Sequence, residues 1–130
     1  MAIYGIGAKY DRDVSGNFIA NNIIGTGWSA SDAPDLHEYI KSLKVGDIVF
    51  IKRCGPRSTS IQVEAIGIIK DSLIINSTSC GGIVEIGRNV KWIHKYQFSI
   101  PIPPNKNNFR ANTLYEEFHP EIQKDILAKI

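Results

Sequence analysis

Residues 45–52 read VGDIVFIK, and the fold class is decided by this stretch and the two that follow it. A Gly-Asp turn signal precedes a run of β-branched and aromatic residues, which is the pattern of a buried strand. Residues 53–60, RCGPRSTS, are rich in turn-forming types, and residues 61–71, IQVEAIGIIKD, return to β-branched residues. The three stretches together predict an antiparallel hairpin with a basic loop.

Outside this hairpin, short apolar stretches and turn residues continue to alternate. They predict further strands at residues 2–10, 72–79, 82–87 and 89–102. Two stretches instead carry capping residues, an early proline and apolar residues at helical spacing: residues 31–43, with Leu36, Tyr39, Ile40 and Leu43, and residues 119–130, with Ile122, Ile126, Leu127 and Ile130. The polar, proline-rich residues 101–113 are predicted to connect the last strand to the second helix. The pattern favours an α+β fold, mainly β, with a small, partly closed barrel flanked by a few helices.

Length and composition limit the classes of protein to which the chain can belong. At 130 residues, with 43% hydrophobic and 22% charged residues, it is predicted to be a single globular domain spanning residues 1–130. The formal charge of +2 is too small to attract nucleic acid by itself, so any basic surface must be local. No signal peptide or membrane-spanning stretch is recognisable, and Cys54 and Cys80 show no metal-binding or disulfide spacing. We therefore expect a cytoplasmic protein with free thiols and no membrane association.

Catalytic and metal-binding motifs are absent from the sequence. His37, His94 and His119 do not occur at the spacings of metal sites, and we expect them to be surface or helix-capping residues. No nucleophile elbow, phosphate-binding loop or dinucleotide-binding motif occurs. The sequence therefore predicts a protein that is not an enzyme and that has no cofactor and no bound metal.

A local concentration of binding-type residues remains. Residues 25–32 read GTGWSASD, and a tryptophan in such a polar stretch lacks the apolar neighbours of a core residue. Binding-type side chains also follow the first strand and flank the hairpin turn: Lys9, Tyr10 and Arg12, and then Lys52, Arg53 and Arg57. Cations beside an exposed ring suit a nucleic acid, because phosphates take the charge and a base stacks on the indole. The hairpin charges have an alternative explanation, since they also keep a strand edge from pairing with other molecules.

The order of these motifs resembles the PUA-like superfamily, in particular its EVE and YTH domains and the modified-DNA reader domains attached to McrBC-type restriction enzymes. The similar features are a first strand that ends in Lys-Tyr, then GTGW followed by serine, then LKVGDIVFIK and IQVEAIGIIKD. Within the last two, the matching residues are Gly46, Asp47, Val49 and Phe50, and then Ala65, Gly67, Ile68 and Ile69. The later VKWIHKYQFSIPI is similar to the family's tryptophan-containing strand. The resemblance covers residues 2–102, with a weaker match at TLYEEFHPEIQKDI.

The resemblance implies a small twisted β-barrel that binds DNA or RNA carrying a modified base, which is flipped out of its stack into a pocket. It implies that Trp28 forms one wall of this pocket, with Ser29 beside it to contact the base edge. Lys9 and Tyr10 are then expected to line the same pocket. The glycines of residues 25–32 are expected to let the backbone approach the ligand closely.

The same resemblance and the charge pattern assign the remaining residues of the predicted site. Lys52, Arg53 and Arg57 are predicted to contact phosphates. Residues 71–91 contain no aromatic residue for a complete cage, and Trp92 is expected to pack in the core.

Two other functions are compatible with these residues. An exposed tryptophan is also a typical hot spot of a protein interface, so a protein-interaction or inhibitor module is an alternative. A site for a small nucleotide ligand is the other. The sequence does not specify the base, the type of strand, or the protein partner that supplies an effector activity.

Overall fold

The computed structural model describes residues 1–8, 14–54, 58–103 and 113–130. The elements in these residues are, in chain order, β1 (Ile3–Gly7), α1 (Ser15–Asn21), β2 (Ile23–Thr26), α2 (Pro34–Ser42), β3 (Ile48–Arg53), β4 (Ser60–Asn76), β5 (Ile86–His94), β6 (Phe98–Pro101), β7 (Leu114–Glu116) and α3 (Pro120–Leu127). The predicted α+β, mainly β class is confirmed. No helix in this part of the chain is long and apolar enough to cross a membrane.

The hairpin predicted from residues 45–71 forms the centre of the sheet. β3 pairs antiparallel with β4, from Ile48 opposite Ile68 to Arg53 opposite Gln62. Its side chains alternate between two buried clusters: Ile48 and Phe50 belong to one, and Val49 and Ile51 belong to the other. Because successive side chains of a strand point to opposite faces, the two clusters lie on the two faces of the sheet.

The helices are divided between these two faces. The cluster that contains Val49 and Ile51 is called the front core. It also contains Phe18 of α1, Ile40 of α2 and Trp92 from the sheet. The cluster that contains Ile48 and Phe50 is called the back core, and it also contains Ile122 and Ile126 of α3. Leu127 and Ile130 were predicted to share the buried face of this helix, but both are exposed. Only two positions one turn apart reach the back core, because the helix has eight residues and a narrow buried stripe.

The strand order is β2-β5-β4-β3-β1-β7, and β6 pairs with the first part of β4. β1 and β3 are parallel, whereas the other paired strands are antiparallel. Within the described residues the sheet stays open, with β2 and β7 at its edges, so the predicted barrel closure is not observed. Helix α2 contacts both β5 and β7. The helix therefore reaches from the edge strand β7 to β5, the neighbour of the other edge strand, whereas in a closed barrel backbone hydrogen bonds join the edge strands themselves.

Several boundaries differ from the sequence-based prediction. α1, β2 and β7 were not predicted, because each is short and α1 buries only Ser15 and Phe18. Residues 61–71 and 72–79 were predicted as separate strands, but β4 is continuous through residue 76 and accommodates residues 70–73 as a bulge opposite β5. The predicted strand at 89–102 is divided into β5 and β6. Cys54 and Cys80 are not joined in a disulfide.

Candidate functional site

Trp28 lies directly after β2, and its side chain is 56% exposed. Its backbone N–H donates to Thr26 Oγ1 at 3.2 Å, and the Thr26 side chain is fully buried. On the other side, His37 Nε2 lies 2.6 Å from the Trp28 carbonyl oxygen. Because a carbonyl only accepts, this nitrogen carries the proton and donates. Trp28, Thr26 and His37 together are called the Trp28 platform, an exposed ring on a fixed backbone.

Ser29 helps to shape the turn that leads from this platform into α2. Its Oγ accepts from the Asp32 N–H at 3.2 Å and lies 3.1 Å from Ser31 Oγ. Its carbonyl oxygen accepts from the Ala33 N–H at 2.9 Å. Side chains of this type stabilise turns by bonding nearby backbone groups. The hydroxyl predicted to contact a base edge therefore already takes part in the hydrogen bonds of the turn.

His37 has a role that the sequence did not reveal. It was expected to be a surface or capping residue, but it is a buried residue of α2. A buried imidazole needs a hydrogen-bond partner, and here the Trp28 carbonyl provides one. His119, by contrast, is a capping residue as predicted, since its Nδ1 accepts from the Glu121 N–H at 3.3 Å.

Gly25, in the same stretch, serves strand packing. It lies opposite Gly87 in the β2–β5 pair. A Cβ at Gly25 would lie 2.2 Å from the Ile86 carbonyl oxygen and 2.9 Å from the Val84 side chain. The expectation that these glycines let a ligand approach is therefore wrong for Gly25, because the protein's own chain fills that space.

Arg88 holds the other end of α2 in place. Its side chain is 2% exposed, and the guanidinium donates to the carbonyl oxygens of Ile40 at 3.1 Å, Lys41 at 3.4 Å and Leu43, and to that of Asp71 at 2.9 Å. Burial lowers the pKa of the guanidinium below its ordinary value, and the charges of Asp71 and Asp47 oppose this shift. The guanidinium thus donates to carbonyls at the C-terminal end of the helix, where the regular donors of the helical hydrogen-bond pattern end. The helix that carries His37 is thus fixed to β5 and to the bulge of β4.

Sequence reasoning missed Arg88, although a signal for it exists. Ile86, Arg88 and Val90 alternate along β5 and therefore share the face that packs into the front core. A cation at a core-facing position is rare unless the fold provides acceptors for it. The alternation alone pointed to a buried arginine with a structural role.

Lys52 and Arg53, predicted as phosphate contacts, lie on opposite faces of the sheet. The Lys52 ammonium lies 5.6 Å from the centroid of the Tyr115 ring, which belongs to the back core. Arg53 Nε lies 3.3 Å from Oε1 of the buried Glu64, an ion-pair distance without the alignment of a hydrogen bond. Glu64 is the extra residue of a bulge in β4, and its other oxygen accepts from the Gln97 amide. A carboxylate of the protein thus already neutralises the charge of Arg53.

Lys9, Tyr10 and Arg57 lie outside the described residues, as does Arg12. The ends of the neighbouring strands are described, however: β1 and β3 are parallel, and Gly7 lies opposite Lys52. The Gly7 N–H also donates to the Thr113 carbonyl oxygen at 2.8 Å. The chain therefore leaves β1 and β3, and enters β7, at one end of the sheet.

Trp28 is placed differently with respect to β4. Arg53 lies opposite Gln62, near the start of β4, whereas the β2–β5 pair that leads to Trp28 lies opposite Asn76, at its end. The strand register therefore separates Trp28 from Arg53 by most of the length of β4. The structure does not bring the predicted ring and the predicted basic hairpin together at one position in the sheet.

Among the residues that the structure describes, no three His, Cys, Asp or Glu side chains lie close enough together to hold a metal ion. No protein-family model matches the chain, and no curated protein shows significant similarity to it.

Proposed function

We propose that the protein is a non-catalytic nucleic-acid-binding module in which Trp28 stacks on a base. The observation that carries this proposal is the Trp28 platform itself, a largely exposed indole whose backbone is held by Thr26 and His37. Stacking of a base on such a ring contributes about 1–3 kcal/mol. A ring that is fixed before the ligand arrives loses little conformational entropy on binding.

The preferred ligand of the proposal is DNA or RNA with a modified, flipped base. Flipping a base out of its stack costs a few kcal/mol, and the cost is lower for a base that has already lost its pairing. The platform supplies one ring wall, and the resemblance to the PUA-like superfamily assigns the remainder of the pocket to Lys9 and Tyr10, which lie outside the described residues and follow the end of β1 beside Lys52. In this proposal the open sheet, with α2 packed against β5 and β7, is the core of a PUA-like fold.

Phosphate contacts are assigned to Lys52 and Arg57. Arg53 is left out of this set because Glu64 balances its charge. Electrostatic contacts of this kind are independent of base sequence and weaken as salt concentration rises. The proposal therefore separates two contributions, a salt-insensitive stack at Trp28 and a salt-sensitive attraction elsewhere.

The test compares Trp28→Ala, Trp28→Phe and the wild type in binding to modified and unmodified single strands at low salt. We expect Trp28→Ala to weaken binding by about 5- to 150-fold, which corresponds to the loss of one stacked base. Trp28→Phe retains a ring and is expected to recover part of the affinity. Phe118→Ala is the control, because Phe118 is 71% exposed but lies beside Glu117.

Three outcomes contradict the proposal. Failure of every oligonucleotide to bind at low salt excludes nucleic acid as the partner. Binding that Trp28→Ala and Phe118→Ala weaken equally excludes the platform as the base site. A protein partner that Trp28→Ala releases, without any bound nucleic acid, identifies the platform instead as a protein-interaction hot spot.

A further inference from the structure

A second group of exposed rings lies at the turn between β5 and β6. Tyr96 is 79% exposed, and its ring contacts His94 edge-on with the centroids 5.9 Å apart. His94 in turn contacts Phe98 edge-on at 5.5 Å. The Lys129 ammonium lies 5.0 Å from the centroid of the Phe98 ring. These four residues, called the Tyr96 row, form a continuous series of contacts that ends in a cation.

Further positive charge surrounds this row. Lys95 is exposed and directly precedes Tyr96. Lys91 lies opposite Ile68 and His94 lies opposite Ile66, so both face the same side of the sheet. The carboxylate that contacts the turn, Glu64, is buried and paired with Arg53. The rings are therefore accompanied by lysines whose charges this carboxylate does not neutralise.

The surroundings of Phe118 show that exposed rings in this protein are not always accompanied by basic residues. Phe118 is exposed to nearly the same extent as Tyr96, but acidic residues surround it in the sequence: Glu116, Glu117 and Glu121. A phosphate backbone is repelled there and attracted at Tyr96. Phe118 is thus a matched control within the same chain.

We propose that the Tyr96 row is a second binding platform for single-stranded nucleic acid, with a base stacked on Tyr96 and phosphates at Lys95 and Lys91. Single strands are the expected ligand because a base can stack on a side chain only when it has left its own stack. This inference rests on the proposed function for the class of partner, but it uses residues that the proposed function does not.

The positions of the two platforms predict the length of strand that reaches both. Thr26, two residues before Trp28, lies opposite Ile86 at the start of β5, and Tyr96 lies two residues after the end of β5. The intervening strand extends about 30 Å. Stacked nucleotides advance about 3.4 Å each, so at least about nine are needed, because α2 packs on the front core whereas Phe98 of the Tyr96 row packs against the back core. A shorter strand contacts one platform at a time.

The experiment measures binding of single strands of about four and about sixteen nucleotides, lengths that lie below and above this threshold. Quenching of tryptophan emission reports on the short strand at Trp28, and anisotropy of a labelled oligonucleotide reports on the long strand. We expect Tyr96→Ala to weaken binding of the long strand by at least about fivefold. Quenching of tryptophan emission by the short strand is expected to stay unchanged. Tyr96→Phe retains the ring and is expected to bind like the wild type.

Lysine variants test the phosphate contacts of the same platform. Lys95→Ala is expected to reduce the slope of log affinity against log salt by about 0.7 for the long strand, as loss of one single-strand phosphate contact does. Lys41→Ala is the matched control, because the Lys41 ammonium is 3.3 Å from Glu38 and is already neutralised. Tyr96 and Lys95 are both exposed, so thermal unfolding of the variants is expected to match that of the wild type.

The outcomes separate this inference from the proposed function. If Tyr96→Ala leaves long-strand affinity unchanged, or if Phe118→Ala weakens it equally, the Tyr96 row is not a platform, whatever Trp28→Ala does. If Tyr96→Ala weakens binding and Trp28→Ala does not, the inference stands and the proposed role of Trp28 fails. Absence of binding to either strand overturns both.

Discussion

The two tryptophans of the chain are held in opposite ways. Trp92 is 8% exposed, packs in the front core and donates from Nε1 to the Phe18 carbonyl oxygen at 3.3 Å. Opposite it, Gly67 makes room for the ring, since a Cβ there would lie 2.8 Å from the indole. Trp28 has its backbone fixed by hydrogen bonds while most of its ring faces solvent.

This difference shows that the order of a segment and the burial of its ring are separate properties. At Trp92, packing around the indole contributes to the stability of the fold. At Trp28, hydrogen bonds to Thr26 and His37 order the backbone, and the indole adds little to the core. A large ring that folding does not require is available for a ligand.

The largest expected difference is therefore in stability. Trp92→Ala is expected to lower the free energy of unfolding by about 3–5 kcal/mol, because it leaves a cavity in the front core. Trp28→Ala is expected to change it by no more than about 0.5 kcal/mol, as for other surface substitutions. Denaturant unfolding followed by circular dichroism measures both values. Equal losses for the two variants would show that the Trp28 ring is a structural element.

A smaller effect is expected from the arginine that fixes α2. Arg88→Leu removes the guanidinium donor from the carbonyl oxygens of Leu43 and Asp71 and one of two donors from that of Ile40, and we expect a loss of about 2–3 kcal/mol. Because α2 carries His37, which bonds the Trp28 carbonyl, the fluorescence emission of Trp28 is also expected to change. This emission is measured in a Trp92→Phe background, in which Trp28 is the remaining tryptophan. Lys41→Ala, at the same end of α2 but exposed, is the control and is expected to cost less than about 0.5 kcal/mol. An Arg88→Leu variant as stable as the control would refute the anchoring role.

The smallest effect concerns Tyr4, whose ring is neither exposed nor fully buried and packs edge-on against Tyr39 at 5.8 Å. Burial, with the charges of Glu116 and Asp47, raises the pKa of Tyr4 to about 12 from an ordinary value of 10.0. The unfolded chain therefore loses this proton at lower pH than the folded chain does. Stability is retained below pH 10 and falls as the pH rises toward 12.

The variant that tests this effect is Tyr4→Phe, which has no titrating hydroxyl. We expect a shallower decline of the unfolding midpoint between pH 10 and 12 than in the wild type. Burial raises the pKa of Tyr39 and Tyr115 as well, so part of the decline persists. A decline identical to that of the wild type would show that Tyr4 does not contribute.

Local patterns predicted the parts of the fold that depend on neighbouring residues. The turn signal and the β-branched, aromatic run of residues 45–52 predicted β3, and the position of Trp92 within a predicted strand predicted its burial. The polar surroundings of Trp28 predicted its exposure for the same reason. In each case the residues that decide the outcome lie within a few positions along the chain.

The parts that depend on distant residues were not predicted. Arg53 and Lys52 are adjacent in the sequence, but whether either charge is neutralised depends on a bulge in β4 that places Glu64 beside Arg53. His37 is buried because the chain after β2 returns over α2 and brings the Trp28 carbonyl to it. Such contacts follow from register and topology, which a single sequence specifies only weakly.

The hydrogen bonds of Arg88 have a consequence for the exchange of amide protons with solvent. They join the end of α2, the bulge of β4 and strand β5, so opening any one of these breaks contacts to the others. Segments connected in this way open as one cooperative unit. Amide protons of α2 and β5 are therefore expected to exchange at similar, slow rates. In the proposed function, association at the surface around Trp28 then does not have to wait for a rearrangement of the chain.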